Sequence, residues 1–314
     1  MSAEVTPWVR MSSLVEADYH LLALLMRVGI NESFGERTVD DLCARAGLDT
    51  ETFIQLCRTF CDASYQAPEQ VLRRCRVEDI IRYLHQSHEY YVNSALISLH
   101  SLLSELVAPC PETQKRVIRQ FFQDYRDDLQ SHFEYEEKTL IPYVQDLLSG
   151  VRKGQSSLSR LHEWHPHMKE SLSDLKSLIM NSLPAACDSS VRTQTLMFIF
   201  ELQEDVERHT RIEDLLLVPM IHLLENPRSQ FASDRSEMEG AADSRGELSE
   251  REKEILVGVA KGMLNKEIAD AYNISINTVI THRKNITRKT GIKTVSGLTV
   301  YAILNNLIDI NTIE

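Results

Sequence analysis

HFEYEEKTLIP (residues 132–142) returns 77 residues later as HTRIEDLLLVP (209–219), with His132, Glu136 and Pro142 matched one for one by His209, Glu213 and Pro219. Only eleven histidines occur in the chain. A threefold match of special residues at one spacing therefore points to duplicated chemistry. Residues four apart on a helix share a face with Cβ atoms about 6 Å apart, so each segment can aim an imidazole and a carboxylate at one point. A proline six residues past the glutamate lacks a backbone donor, and it is expected to bend or end the helix there.

Outward from this pair, helical periodicity runs the length of the chain and no segment alternates like a strand, which gives an all-α fold class. Between Val77 and Glu225 the pattern gives four long helices, broken near 108–113, 149–157 and 183–190, and four such helices suit an antiparallel bundle. A compact helical segment precedes it, with a boundary near 74–76. Small, polar and charged residues fill 226–246, which reads as a linker. The expected domains are 1–76, 77–225 and 247–314.

A length of 314 residues at 43% hydrophobic is enough for two or three domains. No run reaches the roughly 18 uncharged apolar residues of a membrane span, and the N-terminus lacks the apolar stretch of a signal peptide, so a cytoplasmic protein is expected. Six cysteines, with no CxxC pair, give no disulfide framework and no thiolate zinc site. A net charge of −12 argues against a protein that coats nucleic acid along its whole surface. From Gly246 onward, however, nine basic residues face eight acidic ones, about +1, which leaves about −13 upstream.

Two His/Glu pairs make half a cage. The first long helix offers His85 and His88, and the third offers His162, His165 and His167. One imidazole from each gives four imidazoles and two carboxylates, a set suited to two borderline metal ions bridged by the glutamates, with iron the leading choice. Buried histidine and glutamate without a cation would cost several kcal/mol each. His20, His100 and His222 read as ordinary core or surface residues.

On these residues, 77–225 resembles a hemerythrin-like domain, and its HxxxE pairs are more similar to the di-iron proteins of iron–sulfur cluster repair than to the oxygen carriers. The carriers use HxxxH on the third helix and HxxxxD on the fourth, where this sequence has HxxHxH and HxxxE. The resemblance implies two iron ions held by His85, His132, Glu136, His165, His209 and Glu213, with His165 chosen by the family's spacing to the fourth-helix histidine. Open positions on such a centre accept dioxygen, nitric oxide or peroxide. The segment 21–60 resembles the small helical domain that precedes the bundle in the repair proteins. Its turn INESFGE lacks their cysteine pair, which weakens a repair role and favours a packing or dimerisation role.

The last seventy residues are divided by their punctuation into four short helices. Ser249 and Glu252 form a capping box, Gly262 closes the first helix, a second spans about Lys266 to Ala271, Ser275 caps a third of about Ile276–Thr290, and the last follows Val295. This is a helix-turn-helix layout. Its third helix turns Val279 and Ile286 inward, with His282 or Arg283 beside them. Asn277, Ile280, Thr281, Lys284, Asn285 and Arg288 face outward, and 276–293 holds five basic residues and no acidic one. Such a helix suits the major groove.

EREKEIL, AKGMLNKEIA, ISINTV and HRKNI make 248–308 similar to the DNA-binding domain of LuxR/FixJ/NarL-type regulators. That resemblance implies contacts to double-stranded promoter DNA from Lys266, Asn277, Thr278, Ile280, Thr281, Arg283, Lys284, Arg288 and Lys293. It also implies a homodimer formed through Leu298, Tyr301, Ile303 and Leu304. The expectation for the whole chain is a regulator, not an enzyme, that senses a gas or peroxide through two iron ions. A di-iron enzyme with accessory DNA binding is the alternative. A conventional response regulator is excluded, because no strand–helix receiver pattern with clustered aspartates precedes the linker.

Overall fold

A computed structural model describes residues 4–151, 159–226, 248–272 and 274–308, and the side chains of 159–163, 166, 167 and 277 fall outside that description. Nearly all of the linker expected at 226–246 lies outside the described residues, as do the side chains of His162 and His167. The fold is all-α: among the described residues no strand forms, and one isolated bridge pairs Arg10 with Thr38. No helix among them is long and apolar enough to cross a membrane.

The elements follow the expected breaks. The N-terminal helices are α1 (Met11–Ala17), α2 (Leu21–Arg27), α3 (Val39–Ala46), α4 (Thr50–Cys61) and α5 (Glu69–Leu72). The first long helix is α6 (Val77–Tyr90), a π-helical turn (Tyr91–Ala95) and α7 (Leu96–Leu106). The second is α8 (Glu112–Tyr135), a π turn (Glu136–Leu140) and α9 (Ile141–Leu148). The third is α10 (Ser159–Asn181), and the fourth is α11 (Ser189–Ile212), a π turn (Glu213–Leu217) and α12 (Val218–Glu225). The C-terminal set is α13 (Glu250–Ala260), α14 (Asn265–Ala271), α15 (Ile276–Thr290) and α16 (Val295–Leu304).

Both prolines of the repeat act differently from a stop. The helix runs on past each, and the residue just before the proline bonds five residues back: Ile141 N–H donates to Glu136 O and Val218 N–H to Glu213 O. Pro142 and Pro219 have no N–H for the carbonyl four residues earlier, so one extra residue enters the turn and the ladder resumes. Each π turn opens on the glutamate of its motif. A third π turn opens at Tyr91 with no proline near it.

The chain forms two compact units. One comprises 1–95, 132–161 and 204–235, and the other 96–131, 162–203 and 236–314. In the first, the N-terminal helices are not a separate body. Leu24, Leu25, Phe53, Phe60, Ile80, Leu84, Leu140, Val144, Leu216 and Ile221 share one core, so the boundary expected near 74–76 is not a boundary of packing. α2 and α4 lie on α6, and α4 also meets the 213–217 turn.

A charge seals that contact. Arg27, 1% exposed, pairs with Asp205 (Nη1 to Oδ1 2.8 Å) and lies over the rings of Tyr83, Tyr90 and Tyr91 at 5.0–5.9 Å. The turn that carries cysteines in the resembled repair proteins instead sets Glu32 against Arg45 and Arg37, at 2.6 and 2.9 Å. These exposed pairs contribute little to stability.

In the second unit the helix-turn-helix set forms as its caps dictate. Ser249 and Glu252 exchange their capping-box bonds, Ser275 caps α15, and Gly291 ends it in the left-handed region (φ 72°). α13 packs on α15 and α16, and α14 packs on α15 around Ile255, Leu256, Ile268, Val279 and Ile286.

Candidate metal centre and DNA-binding helices

α6 is amphipathic with Val77, Ile80, Leu84, His88 and Tyr91 buried on one stripe. His88 is therefore carried inward. His85, five residues past Ile80, points away from that stripe; it is about half exposed and its Nδ1 lies 3.2 Å from both oxygens of Glu137. The histidine expected to serve from the first helix was His85; it is His88 that lies beside Glu136, His209 and Glu213.

His88, Glu136, His209 and Glu213 are all buried and each offers a ligand atom within 4.8 Å of the others. His88 Nε2 is 2.9 Å from Glu136 Oε2, and His209 Nε2 is 2.8 Å from Glu213 Oε1. Buried ring nitrogens and carboxylate oxygens that converge in this way are placed as ligands to a common cation would be. His132 is fully buried, and its Nε2 lies 3.6 Å from Glu136 Oε1. Glu136 thus presents one oxygen to each of two imidazoles.

Glu137 was missed by the sequence reading. His88 Nδ1 lies 2.7 Å from Glu137 Oε1, so the carboxylate holds the Nδ1 proton and leaves the Nε2 lone pair facing Glu136. The His88 hydrogen bond, ahead of its charge and of His85, holds the Glu137 carboxyl below its ordinary value against the opposing effect of burial. Burial lowers the His209 pKa, and Glu213 only partly offsets that. Burial thus favours the neutral imidazole, which is the form that binds a metal.

Aromatic rings wall this group. Phe133 stacks on His88 at 4.4 Å, and Tyr91 stands edge-on to His209 at 5.4 Å. The residues fit a transition-metal centre: buried imidazoles, carboxylates, and a protein partner behind one ligand. His165 lies on α10 in the second unit, where it is buried.

The residues expected to contact DNA lie on or beside α14 and α15. Lys266, Ile280, Thr281, Lys284, Arg288 and Lys293 are exposed. Thr278 is half-buried, its hydroxyl 2.8 Å from Ser275 Oγ. Arg283 Nη1 donates to Asn265 Oδ1 at 2.7 Å and ties α15 to α14. Asn277's side chain lies outside the described residues. In the expected dimer face, Leu298, Ile303 and Leu304 are 3, 8 and 5% exposed and Tyr301 is half-buried. Within the chain, α16 packs against α13, while Val295 and Ser296 at its start are exposed.

Comparison with known proteins agrees with this division. The family described as "Hemerythrin HHE cation binding domain" matches residues 79–221, and "Bacterial regulatory proteins, luxR family" matches 246–302. The chain joins a hemerythrin-type domain to a LuxR-type helix-turn-helix domain. Relatives of the LuxR-type part include "Response regulator protein VraR" of Staphylococcus aureus, Staphylococcus epidermidis and Staphylococcus saprophyticus. Each is 43% identical over 74 residues, 24% of this chain and 35% of the relative. The chain thus spans about a third of the length of the curated relatives it matches. No solved structure matches.

Proposed function

We propose that this protein is a transcription regulator whose hemerythrin-type domain senses a small oxidant or gas through a pair of iron ions. The observation that carries the reading is the convergence of His88, Glu136, His209 and Glu213, buried together in a chain that also bears a LuxR-type DNA-binding domain. In this reading His88, Glu136, His209 and Glu213 would hold the metal, with His132 beside Glu136, and His165 stays the candidate expected from the third helix. Such a centre supplies Lewis-acid and redox chemistry with positions open to dioxygen, nitric oxide or peroxide. The chain's own part is to exclude water with Phe133 and Tyr91 and to hold His88 in one tautomer through Glu137.

A di-iron enzyme is the competing reading, and stoichiometry separates the two. Reduced, metal-loaded protein is titrated with dioxygen, nitric oxide and peroxide in turn, while its optical spectrum and its binding to duplex DNA are followed. A sensor reacts about once per site and its DNA affinity changes with the same titrant. Multiple turnovers with unchanged DNA binding would overturn the sensor.

A further inference from the structure

Within the second unit, α10 touches the DNA-binding helices through a carboxylate. Asp174 is fully buried, accepts from Lys293 N–H (2.8 Å) and Thr294 N–H (2.9 Å), and also accepts from the Thr294 hydroxyl. Around it, Ser177 Oγ donates to Gly291 O at 3.4 Å, Asn305 Nδ2 reaches Ser182 Oγ at 3.4 Å, and Lys293 Nζ lies 3.9 Å from Glu170. The approach is too close for a side chain at Gly297, where a Cβ would overlap Asp174 and come within 2.8 Å of Ile292 Cγ2. Burial raises the Asp174 pKa, and the bonds from Thr294 and Lys293 oppose that rise.

We propose that the Glu170–Asp174–Ser177 face of α10 is an internal docking surface for the α15–α16 turn, and that it competes with duplex DNA for that turn. The two backbone N–H groups and the hydroxyl at the start of α16 are anion donors, and a phosphodiester is the external anion that would take them. Lys293, free to reach a phosphate in an undocked domain, here sits beside Glu170. Ile280, Thr281, Lys284 and Arg288 on α15 remain exposed, so docking leaves the groove-facing residues uncovered. It acts by withholding phosphate contacts and by placing two carboxylates where the DNA backbone must approach. This inference rests on the DNA-binding reading of the LuxR-type domain.

The test uses the full chain and a labelled duplex of mixed sequence at low salt, with anisotropy as the readout and hydrogen exchange at Lys293 and Thr294 beside it. Asp174→Asn keeps size but cannot accept from both backbone donors. It is expected to bind the duplex about tenfold more tightly, as for a competent form raised from a tenth of the population to nearly all of it, and to exchange faster at both amides. Glu170→Gln changes only a partly exposed side chain, so it decides the matter if Asp174→Asn fails to fold; about a twofold gain is expected as Lys293 is released. Unchanged duplex affinity in the folded variants, with or without faster exchange, would overturn the competition. If the parent and both variants all fail to bind, the DNA-binding reading falls and the inference falls with it. A silent parent tells that case from a failed latch.

Discussion

At the scale of single residues, the metal reading turns on which first-helix histidine faces inward. His88 is in phase with Ile80, Leu84 and Tyr91, while His85 is not. His88→Ala is therefore expected to lose most bound iron and His85→Ala to keep it, as metal analysis of the two purified variants would show. Equal retention would return the assignment to chance. Glu137→Gln leaves a hydrogen-bond acceptor behind His88 but removes its charge, and loss of such outer partners costs about 10- to 100-fold in metal affinity. Competition with a chelator of known affinity measures it. His88 was legible in the hydrophobic stripe; His85 was chosen by resemblance, which fixed a helix and not a phase. Glu137 had no signal of its own, because exposed-looking glutamates are common beside a motif and only the folded neighbour shows what one binds.

At the scale of elements, the duplicated motif was legible as chemistry and misread as geometry. The spacing of histidine to glutamate needs only a helix, so it could be read directly. The effect of Pro142 and Pro219 depends on where the orphaned carbonyl finds a donor, and the chain solves that with a π turn and no break. Pro219→Ala restores an N–H and permits regular α-helical bonding, which would move Glu213 out of register. Weaker metal binding with retained helicity is expected, with circular dichroism and metal content as the readouts. The helix-turn-helix elements were legible nearly to the residue because serine caps and glycine stops mark their ends.

For the molecule as a whole, the sequence showed the kinds of domain and hid how they join. The N-terminal helices read as a separate unit because Arg27 looks like a surface residue until Asp205, 178 residues away, is seen to receive it. Replacing Arg27 by methionine keeps bulk but strands Asp205 beside three tyrosines. A loss of about 3 kcal/mol is expected from an uncompensated, mostly buried partner, read from the urea midpoint. A shift near zero would mean the N-terminal helices are held by apolar packing alone.

The account stands on the buried imidazoles and carboxylates serving a metal, and iron content measures that most directly. Protein prepared anaerobically should contain about two iron ions per chain, and a His209→Ala variant of unchanged helicity should contain far less. A parent that comes out free of transition metal after reconstitution with ferrous iron, or a variant that holds as much as the parent, would contradict it.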